Sequence, residues 1–149
     1  MRIALAFLLF GLASRTFAQA PIAEPARAAF RAIDIYLDSR ETPLAAYQLE
    51  FADTNGLAKI VGIEGGDSPA FRNAPFYDPK AMLQDHVIIA AFSTKNPSEL
   101  PRGRTRIATI HLQTPATGLP AFSLKLEAAA DNSGQRVPVN ASYEERKSP

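Results

Sequence analysis

A chain of 149 residues with 16 Lys and Arg against 15 Asp and Glu carries a formal net charge of +1, which gives no electrostatic reason to expect nucleic acid or an anionic membrane as partner. The absence of cysteine excludes thiol catalysis, iron–sulfur clusters, thiolate zinc sites and a lipid anchor on a cysteine. It leaves the fold to rest on core packing and strand pairing alone.

The N-terminus has three parts. Met1-Arg2 supplies a positive start, residues 3–13 an apolar run, and Thr16-Phe17-Ala18-Gln19-Ala20 a small-residue cleavage region. This is the layout of a secretory signal peptide. The run is shorter than the about 20 residues that a bilayer-spanning helix needs. Cleavage is expected after Ala18, because cleavage after Ala20 sets Pro21 just past the scissile bond. Removing the signal peptide, residues 1–18, takes away Arg2 and Arg15. It leaves 131 residues with 14 basic against 15 acidic side chains, net −1 and enough chain for one domain with a core. The mature protein is expected to be secreted or periplasmic and not membrane-embedded, since no second hydrophobic segment follows. Residues 19–27, with Pro21 and Pro25, read as a flexible leader.

From there the chain reads as short strands broken by proline and glycine. In the stretch from Ala32 to Asp38, Ile33, Ile35 and Leu37 share one face, with Asp34, Tyr36 and Asp38 on the other. In the next strand Ala45, Tyr47, Leu49 and Phe51 alternate with Ala46, Gln48, Glu50 and Ala52. Such alternation describes a sheet packed on one side and solvated on the other. Asp53-Thr54-Asn55-Gly56 is a turn. Residues 57–64 form a third strand ended by Gly65-Gly66-Asp67. Residues 68–85, with Pro69, Pro75 and Pro79, are the longest irregular segment, with at most one helical turn near 80–84. Residues 87–93 are an apolar strand and 95–103 a polar loop. Residues 105–114 and 122–129 are further strands. A last strand is expected over 135–143, with Pro138 marking a sheet edge or bulge, and 144–149 is a charged, frayed tail. About seven strands at this spacing, without a long helix, predict an all-β sandwich or barrel over 28–143.

The succession IDIYLDS, PLAAYQLEFAD, LAKIVGIEGG, HVIIAAFS, TRIATIHLQT and FSLKLEAAA resembles the cohesin-like modules. The likeness runs from about Phe30 to Ala130 and rests on the pattern and order of strands. It implies an immunoglobulin-like or jelly-roll β-sandwich, related to some carbohydrate-binding modules. It also implies protein–protein docking in extracellular assemblies, or glycan binding as in the relatives. The chain holds one such module, with no neighbouring module and no Pro/Thr linker.

The residues that carry chemistry are few. His86 and His111 are the two histidines. His86 begins a strand and His111 falls on the face opposite Ala108, Ile110 and Leu112, so solvated positions are expected and no metal site. The turns at Asp53 and Asp131 lack the alternating acids and terminal Glu of a dedicated calcium loop, and Asx-turn chemistry accounts for both. Glu64-Gly65-Gly66-Asp67 has neither a dinucleotide nor a P-loop spacing. No motif of nucleophilic or metal-dependent hydrolysis is present, so no enzyme and no cofactor is expected. Arg102, Arg104 and Arg106 share a face at strand spacing, and are read as solvated residues ahead of the next strand rather than as a dock for an acidic partner.

A binding surface is suggested by two features. The strand His86-Val-Ile-Ile-Ala-Ala-Phe92 is apolar at nearly every position, so its second face requires cover from the 68–85 segment or from a partner. That segment supplies Phe71, Phe76 and Tyr77, flanked by Arg72 and Asp78, and these five residues are the candidate binding set. Two functions fit: an exported protein-interaction or assembly module, and a carbohydrate-binding module. Sugar platforms stack rings on exposed aromatic planes, and a chain without Trp favours the protein partner.

Overall fold

The computed structural model describes residues 27–146. The expected signal peptide, all of the expected leader except Arg27, and residues 147–149 of the expected tail lie outside the described residues. Eight strands form two four-stranded antiparallel sheets: β1 Ala28–Asp38, β2 Ala46–Asp53, β3 Lys59–Gly65, β4 Phe76–Tyr77, β5 His86–Phe92, β6 Arg104–Pro115, β7 Phe122–Ala130 and β8 Asn140–Glu145. One sheet (sheet A) has the order β3-β6-β1-β8 and the other (sheet B) the order β4-β5-β2-β7. Every connection except β4–β5 therefore passes from one sheet to the other. Among the described residues the one helical element is a 3-10 turn, Pro79–Ala81, and no helix is long and apolar enough to cross a membrane.

The core follows from strand alternation. Ile33, Ile35 and Leu37 of β1 and Ile110 and Leu112 of β6 point inward from sheet A, and meet Tyr47, Leu49 and Phe51 of β2 and Val87 and Ile89 of β5 in one buried cluster. The sheets are also joined by a hydrogen bond, since the Tyr47 hydroxyl donates to the Ile107 carbonyl at 3.3 Å. Burial pushes the Tyr47 phenol up, so that it stays a donor. Three bulges adjust the ladders: Ile107 opposite Ile35/Tyr36, Val61 opposite Leu112/His111, and Glu127 opposite Gln48/Leu49. After β3 the backbone passes so close to β6 that a Cβ on Gly66 would collide with the Arg106 carbonyl and Ile107. Glycine is required there by the close approach.

Four sequence readings change. The 68–85 segment contains β4, because Phe76 and Tyr77 pair with Ala90 and Ile89 and extend sheet B. The last strand is split at Pro138. Arg136 bridges Ala130 of sheet B, and β8 then pairs with β1 of sheet A. A residue without an N–H suits a point where the chain leaves one ladder for another. The charged tail is not frayed at its start, since Glu144 and Glu145 lie in β8 and the Arg146 amide donates to the Ala32 carbonyl at 2.8 Å. The arginines of 102–106 do not all precede the strand as solvated residues; Arg102 does and is exposed. Arg104 and Arg106 lie in β6, and each of the three guanidinium groups has a partner in the chain.

Candidate functional site

The two sheets turn different outer faces to water. On sheet A the central outward positions of β1 and β6 carry Asp34, Tyr36, Arg106 and Thr109, which are tied together, with an exposed Phe30 at the start of β1. Asp34 Oδ1 accepts the Thr109 hydroxyl at 2.6 Å and Arg146 Nη2 at 2.6 Å, while Oδ2 accepts Arg146 Nε at 3.1 Å. Thr109 Oγ1 in turn accepts from Arg106 Nη1 at 2.7 Å and from Arg146 Nη2 at 3.0 Å. Arg106 also pairs with Asp67. Burial of Asp34 opposes its ionisation, but the hydrogen bonds from Arg146 and Thr109 and the charges of Arg146 and Arg106 outweigh it. They hold the carboxyl below the usual aspartate range. Beside this network the Arg104 guanidinium lies 3.6 Å over the Tyr36 ring and pairs at 2.6 Å with Glu144. Most of the polar groups on this face are thus already engaged within the fold.

Sheet B is the opposite case. Outward positions of β5 hold Ile88, Ala90 and Phe92; toward the Phe92 end those of β2 hold Ala46 and Gln48 and those of β7 hold Ala128 and Ala130, while at the other end Glu50 of β2 and Lys125 of β7 face out beside Ile88. Phe76 from β4 joins them by pairing with Ala90. Phe76 is 70% exposed, Phe92 65% and Ile88 50%. The two phenylalanine rings lie nearly parallel, 11° apart, with centroids separated by 6.1 Å. Next to this ridge is a depression of about 220 Å³ floored by Ala46, Gln48, Ala90, Ala128 and Ala130. A second depression, of about 210 Å³, lies between the 69–74 loop and the same two rings. An aromatic ridge with an alanine-floored hollow on one side and a mixed polar and apolar hollow on the other is a surface of the kind that marks interaction sites.

The five candidate binding residues divide. Phe76 and Arg72 are exposed and line the second depression together. Phe71 is drawn into the core, 2% exposed and edge-on to Tyr47 at 5.2 Å, so it supports the loop from below instead of presenting a ring to a partner. Tyr77 pairs with Ile89 and packs against the core. Asp78 caps the 3-10 turn by accepting the Lys80 amide at 2.9 Å. Phe92, Ile88 and the alanine floor are absent from that set. Their signal was present in the sequence as the outward half of an alternating strand with no polar residue after His86.

The remaining chemistry-bearing groups are placed apart. His86 is in sheet B and bonds to Asp85 at 3.0 Å, while His111 is in sheet A and lies 3.0 Å from Glu64. The two imidazoles face out from different sheets and do not converge. Backbone amides aim into both acidic turns. Asp53 accepts from Ala58 at 2.6 Å and Ala121 at 3.3 Å, and Asp131 accepts from Ser133 at 2.8 Å and Gln135 at 2.9 Å. These donors account for both turns as Asx-type turns closed by backbone amides.

In comparisons with known proteins, no family model matches the chain, and no curated protein and no solved structure is significantly similar to it.

Proposed function

We propose that this chain is an exported, non-catalytic module of the cohesin-like, jelly-roll type, and that it binds a protein partner through the outer face of sheet B. The observation that carries the reading is the exposed ridge of Phe76, Phe92 and Ile88 beside the alanine-floored hollow. Burying such rings releases water from large apolar surfaces at little conformational cost, and aromatic anchors in fitted hollows dominate protein interfaces. The contrast with sheet A, whose charges are satisfied internally, supports placing the contact on sheet B. The finer fold reading draws support from the strand succession and from connections that alternate between the sheets, as in jelly-roll sandwiches. Export to the periplasm or the extracellular space draws support from the N-terminal sequence, and no nucleic-acid partner is proposed for a mature chain of net charge −1.

A carbohydrate-binding role is the second reading, and the near-parallel Phe76 and Phe92 rings favour it. The groups around them are alanines and Gln48, which offer few donors and acceptors for sugar hydroxyls. The test is affinity capture by the immobilised mature domain from its native extracytoplasmic extract. Wild type is expected to retain a protein that Phe92→Ala and Phe76→Ala lose, with unchanged melting temperature. Competition by a soluble oligosaccharide, with no protein retained, would favour the second reading instead.

A further inference from the structure

The chain has five asparagines, at positions 55, 73, 96, 132 and 140, and one of them is followed by glycine. Asn55-Gly56 lies in the turn after β2, where both residues are exposed and Gly56 has φ +70°. A Cβ built on Gly56 would meet nothing within 4 Å, so no other part of the fold packs against this side of the turn. Among the described residues the Gly56 amide is held by no residue outside its own turn. The other asparagines differ. Pro97 after Asn96 has no N–H, the Ser133 amide after Asn132 is held by Asp131 at 2.8 Å, and Ala141 after Asn140 lies within β8. Ala74 after Asn73 carries a methyl group, which hinders approach at its nitrogen.

We infer that Asn55 is a site of spontaneous deamidation through Gly56, and that its conversion unfastens the loop between β6 and β7. The Gly56 nitrogen, on losing its proton to solvent base, attacks Asn55 Cγ and closes a five-membered succinimide. The Cγ–Nδ2 bond breaks and ammonia leaves. Water then opens the ring at either carbonyl, giving aspartate or isoaspartate, with no oxidant or cofactor involved. The consequence follows from what Asn55 holds. Its Nδ2 donates to the Leu119 carbonyl at 2.9 Å, beside the bonds of Thr54 to the Ala121 carbonyl at 2.7 and 2.9 Å and of the Ala121 amide to Asp53. These contacts clamp residues 119–121 onto the β2–β3 turn. A carboxylate at position 55 has no proton to donate to Leu119. It also adds a negative charge two residues from Asp53, which is 5% exposed, and the outer part of the clamp opens.

The test is peptide mass mapping of the folded, purified chain held in mildly alkaline buffer at physiological temperature. The peptide containing Asn55 is expected to gain one dalton and to resolve into aspartate and isoaspartate forms, before any change at the other four asparagines and faster as pH rises. Asn55→Gln, whose ring closure is slower, is expected to remove the modification. Deamidated chain, separated by its added charge, and Asn55→Asp are both expected to show faster amide hydrogen exchange across 116–121 with unchanged exchange in β5. Asn55 that stays intact while another asparagine converts, or no conversion anywhere, overturns the site. Unaltered exchange at 116–121 in the converted chain overturns the clamp.

Discussion

The outer faces of the two sheets are built from similarly alternating strands, yet they meet water in different ways. On sheet A a partly buried carboxylate, Asp34, is enclosed by Thr109, Arg106 and Arg146, and each partner is held by others. On sheet B the half of that layer around Ala90 is alanine, isoleucine and phenylalanine with Gln48, charge being confined to the Glu50 and Lys125 end, and Phe76 and Phe92 pack on each other and otherwise face solvent. The difference separates two uses of a sheet surface. Polar groups satisfied inside the fold contribute to its own stability and offer little to a partner. Apolar groups left uncovered forgo that stabilisation and keep it available for association.

The comparison is sharpened first by a residue of the sheet B neighbourhood that belongs to the core. Phe71→Ala empties a buried ring site against Tyr47 and should cost about 3–5 kcal/mol of stability, read as a lowered denaturant midpoint. A cost below about 1 kcal/mol would return Phe71 to the surface set. On sheet A, Asp34→Asn should cost about 2 kcal/mol near neutral pH, because two arginines lose their shared anion. The pH dependence has a definite sign. Because the folded-state pKa of Asp34 lies below its unfolded value, its contribution is complete above the ordinary aspartate range and is lost as pH falls through the lowered folded value. Acid titration of stability should therefore be shallower in Asp34→Asn than in wild type, and parallel curves would break the assignment.

These two substitutions also show what could be read from the chain before folding. The core faces of β1 and β2 were legible because apolar residues recur at every second position, and the turn at Asp53 because Asx and glycine residues have few other uses in that order. The 71–78 segment was legible only as a cluster. Nothing local distinguishes Phe71, which turns inward, from Phe76, which pairs with Ala90 and turns out. The Asp34–Arg146 contact joins residues 112 positions apart. It depends on β8 crossing to sheet A after Pro138, and no alternation within β1 or the C-terminal segment contains that information. The apolar second face of β5 was legible as needing cover, but whether the chain supplies it depends on where β4 comes to lie.

Smaller effects probe sheet B. Phe92→Ala should leave stability within about 0.5 kcal/mol of wild type, since its ring is mostly in water, while weakening partner capture by about 2 kcal/mol. A stability loss of the size seen at Phe71 would mean that the ridge is structural. Raising the salt concentration should change capture by less than about twofold, because apolar contacts are not screened as charge pairs are. A steep loss with salt would move the contact away from the ridge to charged groups, those of sheet A or the Glu50 and Lys125 end of sheet B.

The most direct measurement places one lysine on each face in turn. Ala90→Lys sets a charge in the floor of the sheet B hollow, and Ser142→Lys sets one on the exposed edge strand β8 of sheet A. Both variants are compared with wild type for partner capture by the immobilised mature domain, with melting temperature as the control for folding. The account predicts that Ala90→Lys loses capture and Ser142→Lys keeps it, with both domains folded. Capture retained by Ala90→Lys, or lost in Ser142→Lys alone, would contradict it.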